Sequence, residues 1–217
     1  MRDQCSANTV RSGKWSAVLY RLRQFFQGFN AQVSASERQT VAQLLPTPAF
    51  ALFERMPIDA QRHSLNVLYT LQAAGQRAPD LAVAALLHDV GKVAAEEAGV
   101  RLGLWLRGPL VILEAFAPLF LDKLATDNVK KGWRYALYVQ RAHPAIGAQW
   151  AEQAGCTREA CWLIAHHQAV VHPNDGPHPN DGPHPNDGPY LAEGGVQSAP
   201  EPRYRWLVAL QQADGAN

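Results

Sequence analysis

The stretch "APDLAVAALLHDVGK", residues 78–92, constrains this chain more than any other. From 81 to 87 it is apolar on every side, the pattern of a helix at the centre of a fold. It then ends in His88-Asp89. A carboxylate at the end of a buried helix costs several kcal/mol in desolvation unless something compensates it. A divalent cation compensates efficiently, because it turns the buried charge into a ligand. Successive residues on a helix diverge by about 100°. The imidazole can therefore serve one ion while the carboxylate, with two oxygens, bridges to a second.

Around this segment the pattern is helical and strand signals are almost absent, so an all-α fold of about ten helices is expected. Trp15, Val18, Leu19, Leu22, Phe25, Phe26 and Phe29 form an apolar stripe at helical spacing. Ser36 with Gln39 has the form of a capping box opening a helix through Leu45. Thr47-Pro48 reads as an N-cap followed by a first-turn proline. A helix over 59–74 should stop at Gly75 as its C′ glycine. Another should open at Pro144 and close at Gly155, and Thr157 should cap the next, "REACWLIAHH". "RYRWLVALQQAD", 203–214, forms the last. Between 169 and 201 no element is expected, and this stretch carries "HPNDGP" three times in tandem at 172–189. Proline every few residues forbids helix and ladder alike. His172, His178 and His184 of the repeat are not expected to form a metal site, since such a loop supplies little fixed geometry.

Composition narrows the partners. A net charge of +1 gives no whole-protein field for a nucleic acid duplex. Three cysteines, Cys5, Cys156 and Cys161, do not make a disulfide framework in 217 residues, so a reducing, cytoplasmic setting is expected. No apolar run followed by a small-residue cleavage site marks a signal peptide. The most apolar run, 109–121, is too short to cross a bilayer and contains Glu114 and Pro118.

Outside the repeat the histidines are His63, His88, His143, His166 and His167, delivered by four expected helices, with Asp89 and Asp214 in comparable places. A histidine and carboxylate set without thiolate suits Fe, Mn, Zn, Co or Ni. "RHSLNVLYTL", "AALLHDVGK", "HPAIGAQWA", "LIAHHQ" and "LVALQQAD" together resemble the HD-domain superfamily of metal-dependent phosphohydrolases. Residues 1–57 lie outside the resemblance and are expected to form an N-terminal helical extension, which could pack on the domain, build a homodimer or bind a partner. The resemblance implies an all-helical bundle at 58–217. It implies a metal site of His63, His88, Asp89 and Asp214. For a second ion it implies His143 and the His166-His167 doublet, His166 being the first choice of the two. It maps Lys92 to a lysine that contacts substrate phosphate. One or two divalent ions and a small, nucleotide-like phosphorylated substrate follow from it, with Asp89 and Lys92 in catalytic roles. "HP-x-x-G" and the double histidine look most like the HD-GYP branch, but Gln168 replaces the acidic residue that follows there, and no "GYP" is present. A non-catalytic signalling or scaffold module that keeps the fold is the alternative.

Overall fold

The computed structural model describes residues 31–100, 124–169 and 201–217. The stripe at Trp15–Phe29, the apolar run at 109–121 and the repeat lie outside them. The chain divides into two compact units, Met1–Ala31 with Ala95–Tyr138 and Gln32–Ala94 with Val139–Asn217. The described elements are α1 (Ala35–Leu44), α2 (Thr47–Arg55), α3 (Ile58–Ala73), α4 (Pro79–Leu87), α5 (Val93–Glu97), α6 (Trp133–Gln153), α7 (Arg158–His166) and α8 (Glu201–Ala216). Short 3-10 turns lie at Val90–Lys92 and Val129–Lys131, and among the described residues there is no strand. The all-α expectation is met. None of the described helices is long and apolar enough to cross a membrane.

In the larger unit α4 is the hub: α1, α2, α3, α7 and α8 all pack on it. Leu81, Ala84, Ala85, Leu86 and Leu87 are buried, as an all-apolar helix demands. Val41, Leu52 and Phe53 from α1 and α2 join the same core, as do Leu163, Leu207 and Leu210 from α7 and α8. In the smaller unit, two contacts tie described residues together. Arg134 donates from Nε to the Leu124 carbonyl at 2.6 Å, and Tyr135 stacks on Tyr138.

The helix stops follow simple chemistry. Gly75 has φ +79°, and Gln76 N–H donates to Leu71 O while Gly75 N–H donates to Gln72 O, closing a Schellman motif. Gly155 does the same for α6. Thr157 accepts from Ala160 N–H at the start of α7. Three starts differ from the sequence reading. The capping box is Ser34 with Glu37, two residues before the expected pair. Thr47 is the first residue of α2, behind Pro46, rather than its cap. Pro144 does not open a helix but lies inside α6, which begins eleven residues earlier. An interior proline costs about 3 kcal/mol in a helix. Burial of Val139, His143, Ala148 and Ala151 on the same helix offsets that cost.

Ser34–Glu37 prevails over Ser36–Gln39 because Glu37 has a second role. Arg62 on α3 donates from Nη1 and Nη2 to its two oxygens, each at 2.8 Å, while Ser34 N–H donates to Oε2 at 2.8 Å. This fork fixes α1 on α3. Arg62 holds the Glu37 carboxyl well below the usual carboxylate range. A depressed folded pKa means stability that is present above the unfolded value and lost as pH falls through it. Glu37→Gln should therefore cost about 1 kcal/mol at pH 7. In urea unfolding the gap between variant and wild type should shrink below about pH 4.

Candidate metal centre

Five elements of the larger unit converge on Asp89. His63 comes from α3, His88 caps the C-terminus of α4, and Asp89 follows at the first bend after it. His143 lies in α6, His167 caps the C-terminus of α7, and Asp214 stands near the end of α8. The two oxygens of Asp89 face different neighbours. Oδ2 lies 3.6 Å from His88 Nε2 and 2.7 Å from Lys92 Nζ. Oδ1 lies 3.3 Å from His143 Nε2 and 3.7 Å from His167 Nε2. On the first side His63 Nε2 donates to Asp214 Oδ1 at 2.8 Å, and that same oxygen is 3.5 Å from His88 Nε2. Two sets with metal-ligand spacing result, His63–His88–Asp89 and Asp89–His143–His167, sharing the one carboxylate.

Each buried histidine is oriented by its own helix. His88 Nδ1 donates to Ala85 O at 3.0 Å, His143 Nδ1 to Gln140 O at 2.7 Å, and His167 Nδ1 to Ile164 O at 2.8 Å. Ala85 and Ile164 are in the last turns of α4 and α7, whose carbonyls have no helical donor. A carbonyl can only accept, so the Nδ1 proton is fixed and Nε2 is a bare lone pair in the neutral ring. His143 Nε2 and His167 Nε2 are 3.3 Å apart. Two lone pairs at that distance, beside a carboxylate oxygen, make no hydrogen bond unless a ring is protonated. Burial pushes the pKa of His143 down and that of His167 down to about 3, which keeps both rings neutral. Converging lone pairs without a proton between them are what a cation satisfies. His88 Nε2, wholly buried and without a hydrogen-bond partner, offers a third such lone pair when its ring is neutral.

The electrostatics of the two sides differ. Burial opposes a charge on His88, but Asp89 and Asp214 outweigh it and raise its pKa. Burial likewise works against the Asp89 carboxylate, yet Lys92 and His88 hold its carboxyl well below the usual range. Asp214 is lowered too, chiefly by the imidazoles of His63 and His88 acting against its burial. The α8 helix that carries Asp214 is tied down around it. Ala213 and Leu210 are buried, and Asn217 Nδ2 donates to Thr70 Oγ1 on α3.

His63, His88, Asp89, His143, His167 and Asp214 are thus brought together, with Lys92 on the rim, 41% exposed. His166 is not in either set. Its ring stacks on Trp162 with centroids 4.2 Å apart, and its Nδ1 donates to Trp162 O. One step along a helix turns the side chain by about 100°, and that step decides between the doublet's members.

Two glycines, Gly91 of "HDVGK" and Gly147 of "HPAIG", set the contact between these elements. A Cβ on Gly91 would stand 2.1 Å from the His143 carbonyl oxygen and 2.8 Å from Gly147 N. A Cβ on Gly147 would meet Gly91 N at 3.2 Å. The turn after Asp89 thus lies backbone to backbone on α6, and this approach carries Oδ1 to His143. The signal was in the strings "HDVGK" and "HPAIG", but only a packed structure shows that the two glycines face each other.

The HD domain family matches residues 61–174, just over half of the chain. The chain belongs to the HD domain family. The family is generally one of metal-dependent phosphohydrolases. The match ends well before Asp214, which α8 brings to His63. Neither a curated protein nor a solved structure matches the chain.

Gly91→Ala should force the turn off α6 and open the gap between Asp89 and His143. Elemental analysis of the purified variant should show metal content reduced relative to wild type, with a stability loss of about 1–3 kcal/mol from overpacking.

Proposed function

We propose that this HD domain is a phosphohydrolase acting on a phosphomonoester or phosphodiester of a nucleotide-like substrate, with one or two divalent ions of Fe, Mn, Zn, Co or Ni. The observation that carries the proposal is the division of Asp89: one oxygen toward His88, the other toward His143 and His167. His63, His88, Asp89 and Asp214 would hold one ion; Asp89, His143 and His167 the other. Bound cations would supply an acidified water and positive charge for the phosphoryl oxygens.

The chain's own groups do the rest. Asp89 ties the two donor sets to a common distance. Nδ1 anchoring keeps three imidazoles from rotating and from sharing protons. Lys92 gives one of its three donors to Asp89 and keeps the others on the exposed rim, where a phosphate oxygen would meet them. Within the family we place the chain beside the HD-GYP-like branch, on "HP-x-x-G" and the His166-His167 doublet. One observation favours the alternative of a non-catalytic signalling or scaffold module: Gln168, where that branch has an acidic residue, is exposed.

The deciding experiment is purified protein with Mn²⁺ or Fe²⁺ on a nucleotide panel. Turnover is expected, and Asp89→Ala should lower it at least about a thousandfold, on the scale of losing an electrostatic centre. His167→Ala should lose bound metal and His166→Ala should keep it. Full metal content with no turnover on the panel would favour the signalling reading, and turnover by Asp89→Ala would sink the enzymatic one.

Metal uptake should also depend on pH in a set direction. His88 has a raised pKa, so near neutrality an incoming ion competes with a proton at Nε2. Apparent metal affinity should rise from pH 6 to pH 8 in titration calorimetry, with proton release visible as a buffer-dependent heat.

A further inference from the structure

Histidines 88 and 167 bond backbone carbonyls that a helix end leaves free in any case. His143 has no such advantage. It lies in the middle of α6, where each carbonyl is normally taken by the N–H four residues on. The carbonyl it uses belongs to Gln140. The residue four on from Gln140 is Pro144, which has no N–H. The donor that would occupy the axial side of that carbonyl is therefore absent, and the His143 imidazole takes the place at 2.7 Å.

We propose that Pro144 is a positioning residue: by withholding an N–H it leaves the Gln140 carbonyl to His143 Nδ1, which aims His143 Nε2 at Asp89 Oδ1. The proline is buried inside a helix where any other residue would give a straighter ladder. Its position directly after the histidine places the freed carbonyl within reach of that ring and no other in the site. The proposal rests on the metal reading for its purpose, but its geometry can be tested without metal.

Pro144→Ala restores the helical N–H. In the full-length protein, long-range ¹H–¹⁵N correlation of the imidazoles should show His143 protonated on Nδ1 in wild type. In the variant it should become a mixture of both tautomers. Affinity for Mn²⁺ at the second position should fall about 10- to 100-fold, as for loss of an outer-shell partner of a ligand. The thermal midpoint should hold or rise, because alanine favours a helix interior. A merely structural proline would give the opposite pattern, lower stability with the His143 tautomer intact, and that overturns the proposal. Failure of the variant to fold overturns it as well. If wild type binds no Mn²⁺, the metal reading fails, while the tautomer comparison still decides what Pro144 does.

Discussion

A carboxylate stands where the chain can least tolerate one. Asp89 follows the C-terminus of the most apolar of the described helices, where the helix dipole is itself negative. Its side chain is 11% exposed. The surrounding structure is arranged to keep that group ionised. Lys92 donates to one oxygen, two imidazoles approach the other, and His88 sits alongside. The same surroundings that stabilise the charge give it metal-ligand spacing, since every approaching ring offers Nε2.

Orientation comes from the backbone. His88, His143 and His167 each donate Nδ1–H to a carbonyl three residues back in their own helix. A ring so held needs no partner from elsewhere in the fold to fix its tautomer. Precision then depends on how the helices meet, and Gly91 against His143 and Gly147 sets that distance at the closest point. The second donor set is therefore the more fragile: it depends on one backbone approach, one freed carbonyl and one residue of a histidine doublet. The first set has Asp214 as an additional carboxylate and a hydrogen bond from His63.

Much of this was legible beforehand. An apolar run ending in His-Asp signals a central helix and a compensated charge, whatever the packing. Gly75 and Gly155 mark helix ends because a residue at positive φ is a local requirement. Thr157 as a cap is equally local. The misplaced starts have a common cause. Two Ser-x-x-Glu/Gln pairs overlap at 34–39, and only Arg62, 25 residues further on, chooses between them. Pro144 has the form of a helix opener, and only the buried face of α6 shows that the helix continues through it.

By itself the sequence determined the residue types and their chemical capacity: imidazoles and carboxylates without thiolate, one of them at the end of a buried helix. Local rules of dihedral preference, capping and periodicity suffice for that, because they act within a few residues. Tertiary structure decided which atoms converge. It split the oxygens of Asp89 between two donor sets and brought Asp214 across 151 positions to His63. It also took His167 rather than His166, because a rotation of about 100° per residue turns a neighbour's ring onto Trp162 instead of into the centre.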